Sequence, residues 1–60
     1  LNAVVISLAG TIATVRLLSD GVQVSATVAK HVTLADVVAG ALCIISGSID
    51  LGYVLVGVYG

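Results

Sequence analysis

The segment Leu17-Leu18-Ser19-Asp20-Gly21-Val22 constrains the fold of this chain more than any other stretch. Asp-Gly sits in a polar cluster between two apolar runs, where it supplies the positive φ angles of a tight hairpin turn. On its far side Val22, Val24, Ala26 and Val28 alternate with Gln23, Ser25, Thr27 and Ala29. A period of two gives a strand with one buried and one wetter face. On the near side Ile12, Thr14, Arg16 and Leu18 stand opposite Thr11, Ala13, Val15 and Leu17, and both sets are partly apolar. The two runs read as an antiparallel hairpin.

The rest of the chain extends this pattern. Ala3 to Ala9 is rich in β-branched residues, and Gly10 is read as a bend or bulge before Thr11, giving a long, bent first strand pair. Ala41 to Ser46 and Gly52 to Tyr59 form a second predicted hairpin, joined through Ser46-Gly47-Ser48-Ile49-Asp50. Between the hairpins, Thr33-Leu34-Ala35-Asp36 resembles a helix N-terminal capping box, and Leu34, Val37, Val38, Ala41, Leu42 and Ile45 follow helical spacing. Gly40 and the β-branched Val37, Val38, Ile44 and Ile45 oppose a full helix, so at most one helical turn is expected near Thr33 to Val38. The prediction is an all-β fold: one domain over residues 1–60, a small five-stranded OB-like or SH3-like barrel.

Composition narrows the function classes. Of 60 residues, 60% are hydrophobic and 8% charged, against roughly 25% charged in an ordinary soluble domain. A chain this short buries a modest share of its surface, so apolar area is left for a partner to cover. Arg16 and Lys30 are the only fixed cations and the net charge is −1, too little to hold nucleic acid by counterion release. A membrane span is not expected either, because no uncharged run reaches the roughly 18 residues a spanning helix needs. The chain begins with Leu rather than Met, as a processed or partial sequence would, and no cationic n-region indicates a signal peptide.

No residue pattern calls for catalysis, a cofactor or a metal. His31 is the sole imidazole and reads as a strand-end histidine; Cys43 lies among Ala41, Leu42, Ile44 and Ile45, where a thiol acts as a small buried hydrophobe. Asp20, Asp36 and Asp50 fall at expected turns and form no acid–base pair. The glycines at 47, 52, 57 and 60 follow no phosphate-loop spacing and are read as bulges, turns and close backbone approaches. Tyr53 and Tyr59, six apart in one regular strand, would share a face. With Arg16 they are the candidate interface residues, being of the types enriched at interface hot spots, although Arg16 equally suits a solvated surface.

Residues 35–60, ADVVAGALCIISGSIDLGYVLVGVYG, resemble the closing half of the small OB-like or SH3-like β-barrels of bacteriophage tail, baseplate and other virion proteins. In that pattern a Val-Gly-Asp turn starts an alternating strand, a polar turn follows, and the final strand ends in a Val/Leu-Gly-Val-like sequence. Val38-Ala39-Gly40-Ala41 stands at the turn, with Ala41 in place of the usual Asp. Leu42 to Ile45 stands at the strand and Val54 to Tyr59 at the last strand. The Asp20-Gly21 hairpin matches the barrel's central hairpin, so the resemblance covers about two-thirds of the chain.

The resemblance implies an architectural role in a virion, with copies of the chain and other assembly proteins as partners and no small-molecule substrate. Two other readings stand beside it. One is a barrel that binds oligosaccharide or single-stranded nucleic acid through Tyr53 and Tyr59. The other is a small membrane-associated protein with an imperfect helix over Val37 to Tyr59.

Overall fold

The computed structural model describes residues 1–59. Five strands follow in chain order, β1 (Asn2–Ala9), β2 (Ile12–Leu17), β3 (Gln23–Val28), β4 (Leu42–Ser48) and β5 (Gly52–Val58), with one 3-10 turn at Leu34–Asp36 between β3 and β4. They close into a barrel in the order β1-β2-β3-β5-β4, with β4 returning to β1. Every pairing is antiparallel except β3 with β5. The all-β, five-stranded barrel expected from the sequence is the observed fold. Closure matters because it leaves no continuous free edge on which further strands could pair.

The interior is filled by small side chains. Ala3, Val5, Ala13, Val15, Leu17, Ala26, Val28, Val37, Ala41, Cys43, Ile45 and Leu55 form one buried cluster. On β2 the structure selects the Ala13, Val15 and Leu17 face, which the two partly apolar faces had left open. On β3 it buries Ala26 and Val28 and half-buries Val24, as the alternation requires, while Val22 precedes the strand and is half exposed. A barrel this narrow, with a Cα radius of gyration of 9.8 Å, has little room for large rings, consistent with the absence of Phe and Trp. The solvent-accessible area of 3573 Å² is close to the roughly 3,600 Å² expected of a folded monomer of this mass.

Local geometry corrects two expectations and one alternative reading. Gly10 is no bend within a long strand: at φ 63° it opens a two-residue turn with Thr11, and Ala9 pairs with Ile12 across it. A glycine at the first central position is what a two-residue hairpin of primed type requires. The irregularity expected there lies instead at Ile6, where the β1–β2 register shifts between Val5 and Ser7. Ser46, Gly47 and Ser48 belong to β4 rather than to the link, and the turn is confined to Ile49, Asp50 and Leu51. The strand runs on because Gly47, at φ 118°, lies against the Gly52 backbone, an approach that a side chain would block. Finally, Val37 to Tyr59 holds two strands and no helix, and no helix among the described residues is long and apolar enough to cross a membrane.

The segment with helical spacing resolves into one 3-10 turn followed by a β-turn. Thr33 occupies the N-cap position in extended geometry, but its side chain makes no capping hydrogen bond. The Ala41 N–H then donates to the Val38 carbonyl at 3.0 Å around Gly40 at φ 90°. Gly40 and Ala41 continue onto β1, where the Gly40 N–H donates to Val5 O at 2.8 Å and the Val5 N–H to Ala41 O at 2.9 Å. Backbone pairing to β1 therefore takes over before the helical pattern can propagate.

Candidate interaction surface

The chemistry-bearing residues are scattered. His31 is exposed, and its Nε2 lies 2.8 Å from the Val56 carbonyl, the residue skipped in the β4–β5 register. The imidazole thus ties the β3–β4 connection to β5. Cys43 is fully buried, paired with Ala3 on one side and Val58 on the other. Desolvation pushes its thiol above the ordinary value of 9.0, which holds it in the unreactive neutral form. Asp20 accepts a hydrogen bond from the Val22 N–H at 3.1 Å, closing the β2–β3 turn. Only Gly21 of the Asp-Gly pair takes a positive φ, at 76°; Asp20 contributes through its carboxylate. Among the described residues no group of three or more His, Cys, Asp or Glu could hold a metal ion.

The two tyrosines do not share a face. In β4–β5, Ile44 pairs with Gly57 but Ile45 with Leu55, so Val56 is an extra residue that reverses the inside–outside parity of β5. Tyr53 lies on the Leu55 side of the reversal and packs, half-buried, against the core. Tyr59 lies beyond it, 55% exposed, with its hydroxyl donating to Asn2 Oδ1 at 3.3 Å. Arg16 is exposed on the outer face of β2, opposite Val4 and Gln23. The three candidate interface residues therefore form no single patch, and the shared tyrosine surface expected from a regular strand is absent.

The surface offers another feature instead. Among the described residues eleven large hydrophobics are exposed, and two of them, Ile49 at 83% and Leu51 at 90%, are nearly bare at the tip of the β4–β5 hairpin. They flank Asp50 in the three-residue turn, held by the Leu51 N–H donating to Ser48 Oγ at 3.2 Å and by Gly52 at φ 88°. Val54 at 41% and Ile44 at 42% continue apolar surface up the outer side of the same hairpin. A mostly apolar groove lined by Leu1, Asn2, Leu18 and Ser19 lies where the start of β1 meets the β2–β3 turn. Sequence reading passed over Ile49 and Leu51 because they fall in a turn. The available signal was two aliphatics in a position where polar residues are the rule.

Fold and surface together define a small, closed, five-stranded β-barrel with large aliphatic side chains among its exposed residues. Comparison of the chain with protein-family models, curated proteins and solved structures gives no match.

Proposed function

We propose that this chain is a structural module of a large symmetric assembly, acting through protein–protein contacts with copies of itself and with other assembly proteins. The observation that carries this reading is the exterior: eleven exposed large hydrophobics on a chain with only two cations and three anions. Single exposed aliphatics are ordinary, but this density with so little charge is the composition of a surface that spends its working life covered. The resemblance of residues 35–60 to virion barrels favours a phage particle, in its tail, baseplate or capsid-associated parts, as the assembly. Closure of the barrel supports side-chain packing rather than strand addition as the mode of contact.

A glycan- or single-strand-binding role loses its main support, because the two tyrosines that would stack the ligand face different surroundings. The test of the assembly reading is sedimentation of the purified chain over a concentration series. Oligomers growing with concentration are expected at micromolar levels and above. A monomer that persists to about millimolar concentration, the weak limit of useful affinity, would overturn it.

A further inference from the structure

We propose that Asp20-Gly21 is a modification site: Asp20 converts to isoaspartate without an enzyme, and the β2–β3 turn holds the conversion back while it stays closed. The inference is independent of the assembly reading above and needs water alone as co-reactant. The Gly21 backbone nitrogen bonds to Asp20 Cγ, and its proton, one carboxylate oxygen and a solvent proton leave as water, giving a cyclic succinimide. Water then breaks one of the ring C–N bonds. Cleavage at Cγ restores Asp20. Cleavage at the Asp20 main-chain carbonyl leaves the backbone running through Cβ and Cγ, longer by a methylene, with the carboxylate now on Cα. No group is oxidised or reduced.

Sequence singles out this position. Gly21 has no side chain to crowd the attacking nitrogen, whereas Asp36 and Asp50 are followed by Val37 and Leu51, whose side chains hinder ring closure. Asn2, the sole asparagine, precedes Ala3 within β1 and is held extended opposite Ile44. Ser19, Asp20 and Gly21 are all exposed, so water reaches the ring carbons once the ring has formed.

Hydrogen bonds restrain both reacting groups. The Gly21 N–H donates to Leu17 O at 2.8 Å, so the proton that must leave is already engaged. Asp20 Oδ1 accepts from the Val22 N–H at 3.1 Å, which fixes the carboxylate toward the amide beyond the one that attacks. Beneath them the Leu17 N–H donates to Val22 O at 2.9 Å and closes the ladder. Ring closure therefore waits for the turn to open, and an exposed turn opens locally well before the barrel unfolds. The product cannot close again in the same way. An added methylene lengthens the loop between Leu17 and Val22, and two-residue and other tight hairpin turns hold their register through loop length. Conversion is thus expected to loosen this end of the β2–β3 hairpin and leave β4–β5 intact.

The test uses the whole chain and one of its own fragments. Trypsin cuts after Arg16 and Lys30, the only Lys and Arg, so residues 17–30 emerge as one peptide in which Asp20 is the sole Asp or Asn. The peptide incubated at neutral pH is the open reference; the whole chain, incubated alike and digested afterwards, is the closed one. Chromatography with electron-transfer fragmentation counts isoaspartate, and the succinimide runs lighter by one water. Isoaspartate at Asp20 is expected in both, forming in the whole chain at least about tenfold more slowly, the suppression set by a turn open at most about a tenth of the time. Equal rates would overturn the turn as the restraint. No isoaspartate in the peptide, or conversion at Asp36 or Asp50 ahead of Asp20 in the whole chain, would overturn the site. Aged chain separated from fresh should lose amide protection at Leu17, Gly21 and Val22 and keep it along β4–β5; identical exchange in the two would overturn the loosening.

Discussion

The β2–β3 and β4–β5 hairpins are built from the same kinds of residue and differ in what they leave outside. On β2–β3 the inner face carries Ala13, Val15, Leu17, Ala26 and Val28, and the outer face carries Thr14, Arg16, Gln23, Ser25 and Thr27, with Ile12 the one large aliphatic among them. Its register is unbroken from Ile12↔Thr27 to Arg16↔Gln23. On β4–β5 only Cys43, Ile45 and Leu55 are fully buried, the register shifts at Val56, and Ile44, Val54, Ile49 and Leu51 face solvent. The β4–β5 turn carries two nearly bare aliphatics, Ile49 at 83% and Leu51 at 90%, where the β2–β3 turn is flanked by the half-exposed Leu18 and Val22.

The contrast is broken most severely at the glycines. A Cβ on Gly47 would overlap the Gly52 carbonyl oxygen, and the residue sits at φ 118°. Gly47→Ala is therefore expected to cost more than about 4 kcal/mol, enough to unfold a domain of this size. Gly21, at φ 76° with open space around it, anchors the β2–β3 turn, and Gly21→Ala should cost only about 1–2 kcal/mol, the left-handed backbone penalty. Urea denaturation followed by far-ultraviolet circular dichroism checks both; equal losses would remove the close approach as the reason for Gly47.

Next in size is the core. Leu55 is the single fully buried side chain of β5, so Leu55→Ala should lose about 2–5 kcal/mol, whereas Val54→Ala, 41% exposed beside it, should stay within about 0.5 kcal/mol. The same denaturation series reads the ratio, and similar losses at the two positions would contradict the β5 parity below the bulge.

A smaller, pH-confined effect distinguishes the hairpins again. Cys43 on β4 is buried with its thiol pushed up by desolvation, while Arg16 and Asp20 of the β2–β3 hairpin are exposed. In the unfolded chain the thiol ionises near its ordinary 9.0, and in the folded chain only at higher pH. Between those two values the folded state binds more protons, so stability is whole below about pH 9 and declines as pH rises through the folded value. Cys43→Ala should remove this part of the decline. Chemical denaturation between pH 7 and 10.5 tests it; an unchanged slope in the variant would assign the decline to other groups.

The parts of this fold legible in the sequence were those set by local pattern. Asp20-Gly21 and the Val22–Ala29 alternation marked the central hairpin, and Gly40 with its β-branched neighbours limited the helix to one turn. What escaped depended on pairing across the barrel. Gly10 gives the same residue-level signal as a bend or as a turn, and only its Ala9↔Ile12 pairing decides. The bulge at Val56 leaves no mark in a run of Val, Leu and Gly, yet it moves Tyr59 off the face of Tyr53. Of the expected interface residues, Arg16 and Tyr59 are at the surface and Tyr53 packs against the core; the bare tip went unread because turns are expected to be polar.

The smallest expected effect belongs to the β2–β3 turn and shows how little its exterior contributes. Asp20 Oδ1 accepts from the Val22 N–H at 3.1 Å on an exposed loop, where water competes for the donor. Asp20→Ala should cost about 0.5–1 kcal/mol, and Asp20→Asn, which keeps a carbonyl acceptor at the same reach, should recover most of it. If Asn fails where Asp succeeds, the carboxylate acts through its charge and the turn is an electrostatic device rather than a hydrogen-bonded one. Amide exchange gives the sharper reading: protection should fall at Val22 and its ladder neighbours on β2 and β3, while the β4–β5 amides keep theirs, because the hydrogen-bonded seam between the hairpins, Ala26–Val28 with Tyr53–Leu55 and the Ala29 N–H to Leu55 O, lies at the far end of β3 from this turn.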